Sequence, residues 1–114
     1  SRSFRYFMSI EEYTSGDVQL EDAQVEVEKP PLFSVVFFND DFTPMEFVVY
    51  VIQQFFNYDH AKATEVMLQI HNQGRGHCGA FSQEIAETKS QQINRFSKEN
   101  GHPLKTDIEE LTKD

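Results

Sequence analysis

The chain contains a single cysteine, no tryptophan and no long apolar run, and each scarcity removes a class of protein. Cys78 alone cannot close an internal disulfide; a reducing compartment suits it, and it reads as a small buried strand residue rather than a nucleophile. No apolar stretch approaches the roughly 18 residues a membrane helix needs, and no basic, apolar and small-residue succession of a secretion signal opens the chain. A soluble, cytoplasmic protein is therefore expected. Positive charge is also short: 10 Lys and Arg stand against 19 Asp and Glu, giving a net charge of −9 and a pI near 4.8. Recognition of nucleic-acid phosphates needs clustered Lys and Arg, so that class is set aside, and partners should be cationic or neutral.

What is present is aromatic and local. The 114 residues include eleven Phe, and 39% are hydrophobic, enough for one small domain with an aromatic-rich core. Much of the negative charge lies between Met8 and Glu28, where Glu11, Glu12, Asp17, Glu21, Asp22, Glu26 and Glu28 are accompanied by no Lys or Arg. Such a segment buries too little apolar surface to offset its ordering entropy, so residues 1–29 are expected to form a mobile, disordered acidic extension and 30–114 the folded domain. Residues 1–7, SRSFRYF, precede a Met that is a candidate natural start; whether they are native or appended stays open at this level.

Within the folded part, Pro30 and Pro31 close the tail and LFSVVFF (32–38) is rich in β-formers. Thr43-Pro44-Met45-Glu46 has the form of a capping box, with Thr43 as cap, Pro44 at the first helical position and Glu46 reaching back. Met45, Val48, Ile52 and Phe55 recur at helical spacing to about Phe56. Asp59 is a cap for a second helix whose buried face is Ala63, Val66, Met67 and Ile70, ended by Gly74. GRGHCGAFS suggests a short strand; Ser82 caps a third helix with Ile85, Ala86, Ile93 and Phe96 inward, stopped at Gly101; LKTDIEEL forms a last strand with Leu104 inward. The order is β-α-α-β-α-β: an α+β sandwich of three helices on a three-stranded antiparallel sheet.

On these residues the chain resembles the ClpS family, the adaptor of the bacterial ClpA-ClpP protease. The likeness rests on FFNDDFTPMEFVVYVIQQFF, MLQIHNQGRGHCGAFSQEIAETK and ENGHPL, in that order from Pro31 to about Leu104. It implies an adaptor, not an enzyme, with neither metal nor cofactor. Such a protein would bind other proteins through a free N-terminal Phe, Tyr, Trp or Leu and pass them to the N-terminal domain of a ClpA-type AAA+ unfoldase. It also implies the site: Asn39, Asp40, Asp41 and His71 around the α-amine, and Thr43, Met45, Val48, Met67, Ile70 and Leu104 around the first side chain. Glu84, Glu87 and Lys89 on the third helix are implied as the unfoldase-docking residues.

The chemistry of these residues suits that role. A protein N-terminus carries an ammonium with three donors beside an apolar side chain; an amide oxygen, carboxylates and a neutral imidazole are its natural acceptors. Charge-assisted bonds of this kind contribute roughly 1.5–3 kcal/mol each, and burial of one apolar side chain about as much. After the cost of association, an affinity on the order of micromolar is expected. Met45 and Val48 share one helix face and Met67, Ile70 and His71 another, and two methionines make a deformable lining. Two other readings stand beside this one. Asp40, Asp41, His71, His77 and Cys78 could be imagined as a metal or hydrolase site, although metal-ligand and nucleophile spacings are lacking. The fold could also be a docking module that reads no termini.

Overall fold

The computed structural model describes residues 29–111. Apart from Lys29, the expected mobile extension lies outside the described residues, and so does the status of residues 1–7. The elements follow the expected order: β1 (Phe33–Phe38), α1 (Met45–Phe56), α2 (His60–Gln73), β2 (Arg75–Phe81), α3 (Gln83–Glu99) and β3 (Lys105–Glu110). The sheet is antiparallel throughout in the order β2-β1-β3, so the first strand is central.

Alternation along β1 turns Val35 and Phe37 to the helices, where both are fully buried with Val51, Ile52, Ala63 and Ile93. Burial of each large side chain is worth about 1.5–3 kcal/mol, and this shared core is what seats α1 and α2 on one side of the sheet. Helix α2 starts where Asp59 Oδ1 accepts the Lys62 amide at 2.8 Å. It stops at Gly74, whose φ of 90° lets its N–H reach back to the Ile70 carbonyl. At Gly76 in β2, a Cβ would stand 2.7 Å from Ile70 Cγ1, so glycine there lets α2 lie close on the strand.

Two sequence expectations need correction. Thr43 does not cap α1: the N-cap is Pro44, whose carbonyl accepts the Phe47 and Val48 amides, and the Thr43 hydroxyl donates instead to Asp40 Oδ2 at 2.8 Å. An ionised carboxylate is a stronger acceptor than the neutral alternatives, so the threonine turns back into the loop. Ile85 is not inward but half exposed. The buried stripe of α3 is Ala86, Ser90, Ile93 and Ser97, at spacings of four and three, and Ile85 stands about 100° away from it around the helix. The Ser82 cap is as expected, its hydroxyl accepting the Ile85 amide at 3.3 Å.

Candidate functional site

The loop from Asn39 to Pro44 joins the end of β1 to the start of α1, and the Asn39 amide donates to the Gly74 carbonyl at 3.0 Å. That bond ties the loop to the C-terminal end of α2, one turn beyond His71, and so brings the acidic cluster and the histidine to one corner of the fold. Asp40 organises the loop: Oδ1 accepts the Phe42 and Thr43 amides at 2.8 and 2.7 Å, and Oδ2 accepts the Thr43 hydroxyl. Burial by itself would raise its pKa. The Thr43 hydroxyl, the two amides and the nearby His102 together outweigh that, so the carboxyl ionises below its ordinary value. A carboxylate has about four lone-pair sites. Three are used within the loop, and Oδ2 keeps one.

Beneath this corner lies a cavity of about 190 Å³. The loop contributes Asn39, Asp40, Asp41 and Thr43, and α1 contributes Met45 and Val48. Helix α2 adds Met67, Ile70 and His71, and Leu104 closes the cavity from the segment before β3. All ten residues expected around an N-terminal residue therefore line one space. A cavity of roughly 150 Å³ accommodates benzene, so the volume suits one aromatic or leucyl side chain. Met45 is 46% exposed, a wall at the mouth rather than core, while Ile70 and Leu104 are buried at the base. The side chains of Asn39, Asp41 and His71 take part in no hydrogen bond among the described residues and remain available as acceptors.

Sequence reasoning missed two residues. Phe38 also lines the cavity; its place as the last residue of a strand running straight into the Asn39 turn was the available signal. His102 bears on the Asp40 charge and packs on Phe47, ring centroids 4.3 Å apart. It belongs to the ENGHPL block, where only Leu104 had been given a role.

The residues of the imagined metal or hydrolase site do not converge. Asp40, Asp41 and His71 line the cavity, whereas His77 pairs with Glu109 at 2.6 Å. Cys78 is buried in the core, with its thiol pushed up to about 12 by burial, against a smaller opposing effect of Lys62. Among the described residues no three His, Cys, Asp or Glu side chains are grouped as a metal ion would require. No helix among them is long and apolar enough to cross a membrane.

The three expected docking residues are divided. Glu84 and Glu87 are exposed side by side on α3. Lys89 lies roughly 140–160° around the helix from them. Its ammonium donates to the Phe55 carbonyl at 2.8 Å and stands 5.6 and 5.5 Å from the ring centroids of Phe56 and Phe81. Lys89 thus ties α3 to the last turn of α1.

Comparisons with known proteins bear on the family of the chain. A family model described as "ATP-dependent Clp protease adaptor protein ClpS" matches residues 28–107. The ATP-dependent Clp protease adapter protein ClpS of Alkalilimnicola ehrlichii is 51% identical over 92 residues, 81% of this chain and 87% of that one. Its counterpart in Methylococcus capsulatus is 51% identical over 100 residues, 87% and 94% of the two chains. Among solved structures, Agrobacterium tumefaciens ClpS2 bound to L-phenylalaninamide is similar at a TM-score of 0.70 and 34% identity, covering 73% of this chain and all of that one.

Proposed function

The chain belongs to the ClpS family of Clp protease adaptors, and from that premise we propose that it binds proteins through a free N-terminal Phe, Tyr, Trp or Leu and delivers them to a ClpA-type unfoldase. The observation that carries this reading is the junction of four acceptors, Asn39, Asp40, Asp41 and His71, with an apolar cavity sized for one side chain. The α-ammonium would take the free site on Asp40 Oδ2, the Asn39 amide oxygen and a neutral His71 nitrogen, with Asp41 adding negative potential at the rim. The first side chain would enter between Met45 and Met67 and stop on Val48, Ile70 and Leu104. The ligand of the Agrobacterium relative is a minimal Phe terminus, with a free amine, a benzyl group and an amide in place of the next peptide bond.

Delivery needs a second surface. The exposed pair Glu84 and Glu87 is the part of α3 free to meet an unfoldase domain, with Lys89 positioning the helix beneath it. A cytoplasmic setting suits an adaptor of a Clp protease, and the acidic residues 1–29 would be engaged by the unfoldase. The test is a titration of a labelled Phe-first peptide with a free or an acetylated amine. The free peptide should bind at about micromolar affinity, and acetylation, which removes the charge and two donors, should abolish binding. Equal affinities would make the fold a docking module that reads no termini.

A further inference from the structure

The sheet face turned away from the helices carries a charged brace that the function proposed above does not use. Val35 and Phe37 point to the helices, so alternation sends Ser34, Val36 and Phe38 to the opposite face. Side chains of the two edge strands meet there. Glu109 of β3 accepts a hydrogen bond from Arg75 Nη2 of β2 at 2.9 Å, and His77 Nε2 of β2 lies 2.6 Å from the same carboxylate oxygen. Since β1 stands between β2 and β3, both contacts span the central strand. Val36, paired with His77 on one side and Asp107 on the other, is buried beneath them. The hydrogen bond with His77, joined by the bond and charge of Arg75, outweighs desolvation and holds the Glu109 carboxyl below its ordinary value. All three side chains are roughly half exposed, and exposed ion pairs contribute little to stability.

One end of the brace reaches the candidate site. The Arg75 guanidinium stands over the Phe38 ring, 5.7 Å from its centroid. Phe38 closes β1 and lines the cavity, and the next residue, Asn39, donates its amide to Gly74, the residue before Arg75. The step from Gly74 to Arg75 therefore holds the step from Phe38 to Asn39 twice, by main chain and by side chain. We infer that Arg75, tethered by Glu109, is a positioning residue of the α-amine corner: it clamps Phe38 and so fixes the direction in which Asn39 and Asp40 leave the strand. This role rests on the proposed binding of N-termini. A planar guanidinium can lie over a ring and still direct separate N–H groups to a carboxylate, a geometry that the point charge of a lysine does not reproduce. Charge and position also make opposite demands. A cation near the corner opposes an ammonium, so if Arg75 acted by charge its removal would tighten binding, whereas loss of a clamp weakens it.

The experiment titrates Phe-, Leu- and Trp-first peptides against the full chain, Arg75→Ala, Arg75→Lys, Glu109→Ala and the Arg75→Ala/Glu109→Ala double variant, with melting temperatures measured alongside. Arg75→Ala should weaken all three peptides several-fold and by a similar factor, with the melting temperature nearly unchanged. Arg75→Lys, which keeps the charge, should recover little of that loss. Glu109→Ala should lose less, and the double variant should bind no more weakly than Arg75→Ala, because both act through one clamp. Hydrogen exchange of the Asn39 amide should quicken in Arg75→Ala, which reads the loosened corner directly. Unchanged or tighter binding by Arg75→Ala overturns the assignment. Full recovery in Arg75→Lys overturns it as well, since charge and not the planar clamp would then matter. A loss confined to one peptide would place the effect on the first side chain and not on the amine, and would also overturn it. Failure of the Phe-first peptide to bind the unsubstituted protein would instead refute the reading of N-termini itself.

Discussion

The two ends of the helical layer satisfy their polar groups in opposite ways. Where α3 meets β3, the polar side chains of Ser90, Asn94 and Thr106 are matched with one another. Asn94 donates to the Thr106 carbonyl at 3.1 Å and accepts its amide at 2.8 Å, and Ser90 Oγ lies 2.7 Å from Thr106 Oγ1. Since β3 is an edge strand, Asn94 supplies the amide contacts that a further strand would make. At the cavity end, Asp40 holds its own loop while Asn39, Asp41 and His71 are left unmatched, among the described residues, around a hollow. Matched groups hold the fold, and under the proposed function the unmatched ones at the cavity serve a ligand, so substitutions at the two ends should separate stability from binding.

The largest effect is expected from Asn94→Ala. Removal of its amide leaves the Thr106 N–H and C=O without partners at the sheet edge, at a cost of about 2–3 kcal/mol. Urea unfolding should show that loss, while affinity for a Phe-first peptide, measured where the variant is folded, stays as it was. Loss of affinity in the folded variant would mean the two ends are not independent.

Asp40 is the one residue that serves both purposes, and two substitutions divide them. Asp40→Asn keeps an oxygen for the Phe42 and Thr43 amides but removes the charge, so peptide affinity should fall by about 1–2 kcal/mol while only part of the loop's stabilisation is lost. Asp40→Ala should lose both. Its lowered pKa also fixes the pH behaviour. The folded-state value lies below the unfolded one, so the stabilisation is complete above the unfolded value and is lost as pH falls through the folded value. Asp40 therefore contributes equally at pH 8 and pH 5. Urea unfolding of the protein and of Asp40→Asn at the two pH values checks this, the difference between them staying the same.

How much of this was legible beforehand follows the same division. The strand, the Asp59 and Ser82 caps and the Gly74 stop rest on local chemistry, and each is where the residues indicated. The cavity residues were legible because helical spacing places Met45 with Val48 and Met67 with Ile70 and His71, and the family resemblance supplied Leu104 from the far side. Missed were the choices made by competition in three dimensions. Thr43 had two partners open to it and took the carboxylate. Ile85 lost its inward place to the Ala86–Ser90–Ile93–Ser97 stripe, and the small serines there let α3 approach the sheet. The Lys89 tether to the Phe55 carbonyl spans 34 residues and leaves no local pattern.

Lys89 sharpens the comparison on the proposed delivery surface. Lys89→Met keeps the stem but removes a charged donor from the end of α1, and should cost about 1 kcal/mol of stability with peptide affinity unchanged. Glu84→Ala and Glu87→Ala, on the open side of α3, should change stability by no more than about 0.5 kcal/mol and weaken only binding of the unfoldase domain. If Lys89→Met weakens that binding without affecting stability, its ammonium leaves Phe55 to meet the partner, and the tether is not structural.

The smallest effect on the fold, and the one that reads the cavity most finely, belongs to Met45. Because its side chain is half exposed, Met45→Ala should shift stability by at most about 1 kcal/mol. Its consequence lies in selection. The side chain lines the cavity with Met67, and under the proposed function the Cβ of an entering residue would pass beside it. Ile and Val branch at that carbon and are stiff about it, whereas Leu and the aromatic residues branch one atom later and keep a narrow neck. Met45 should therefore refuse Ile and Val while admitting Leu and Phe. Met45→Ala widens the neck without touching Asn39, Asp40 or His71, so Ile- and Val-first peptides should gain roughly tenfold, about 1.4 kcal/mol, while Phe-first peptides change less. Titration of Phe-, Leu-, Ile- and Val-first peptides against both proteins decides it. A variant that binds Phe but still refuses Ile and Val would place the entering Cβ away from Met45, and the selection would then have to come from Ile70 deeper in the cavity.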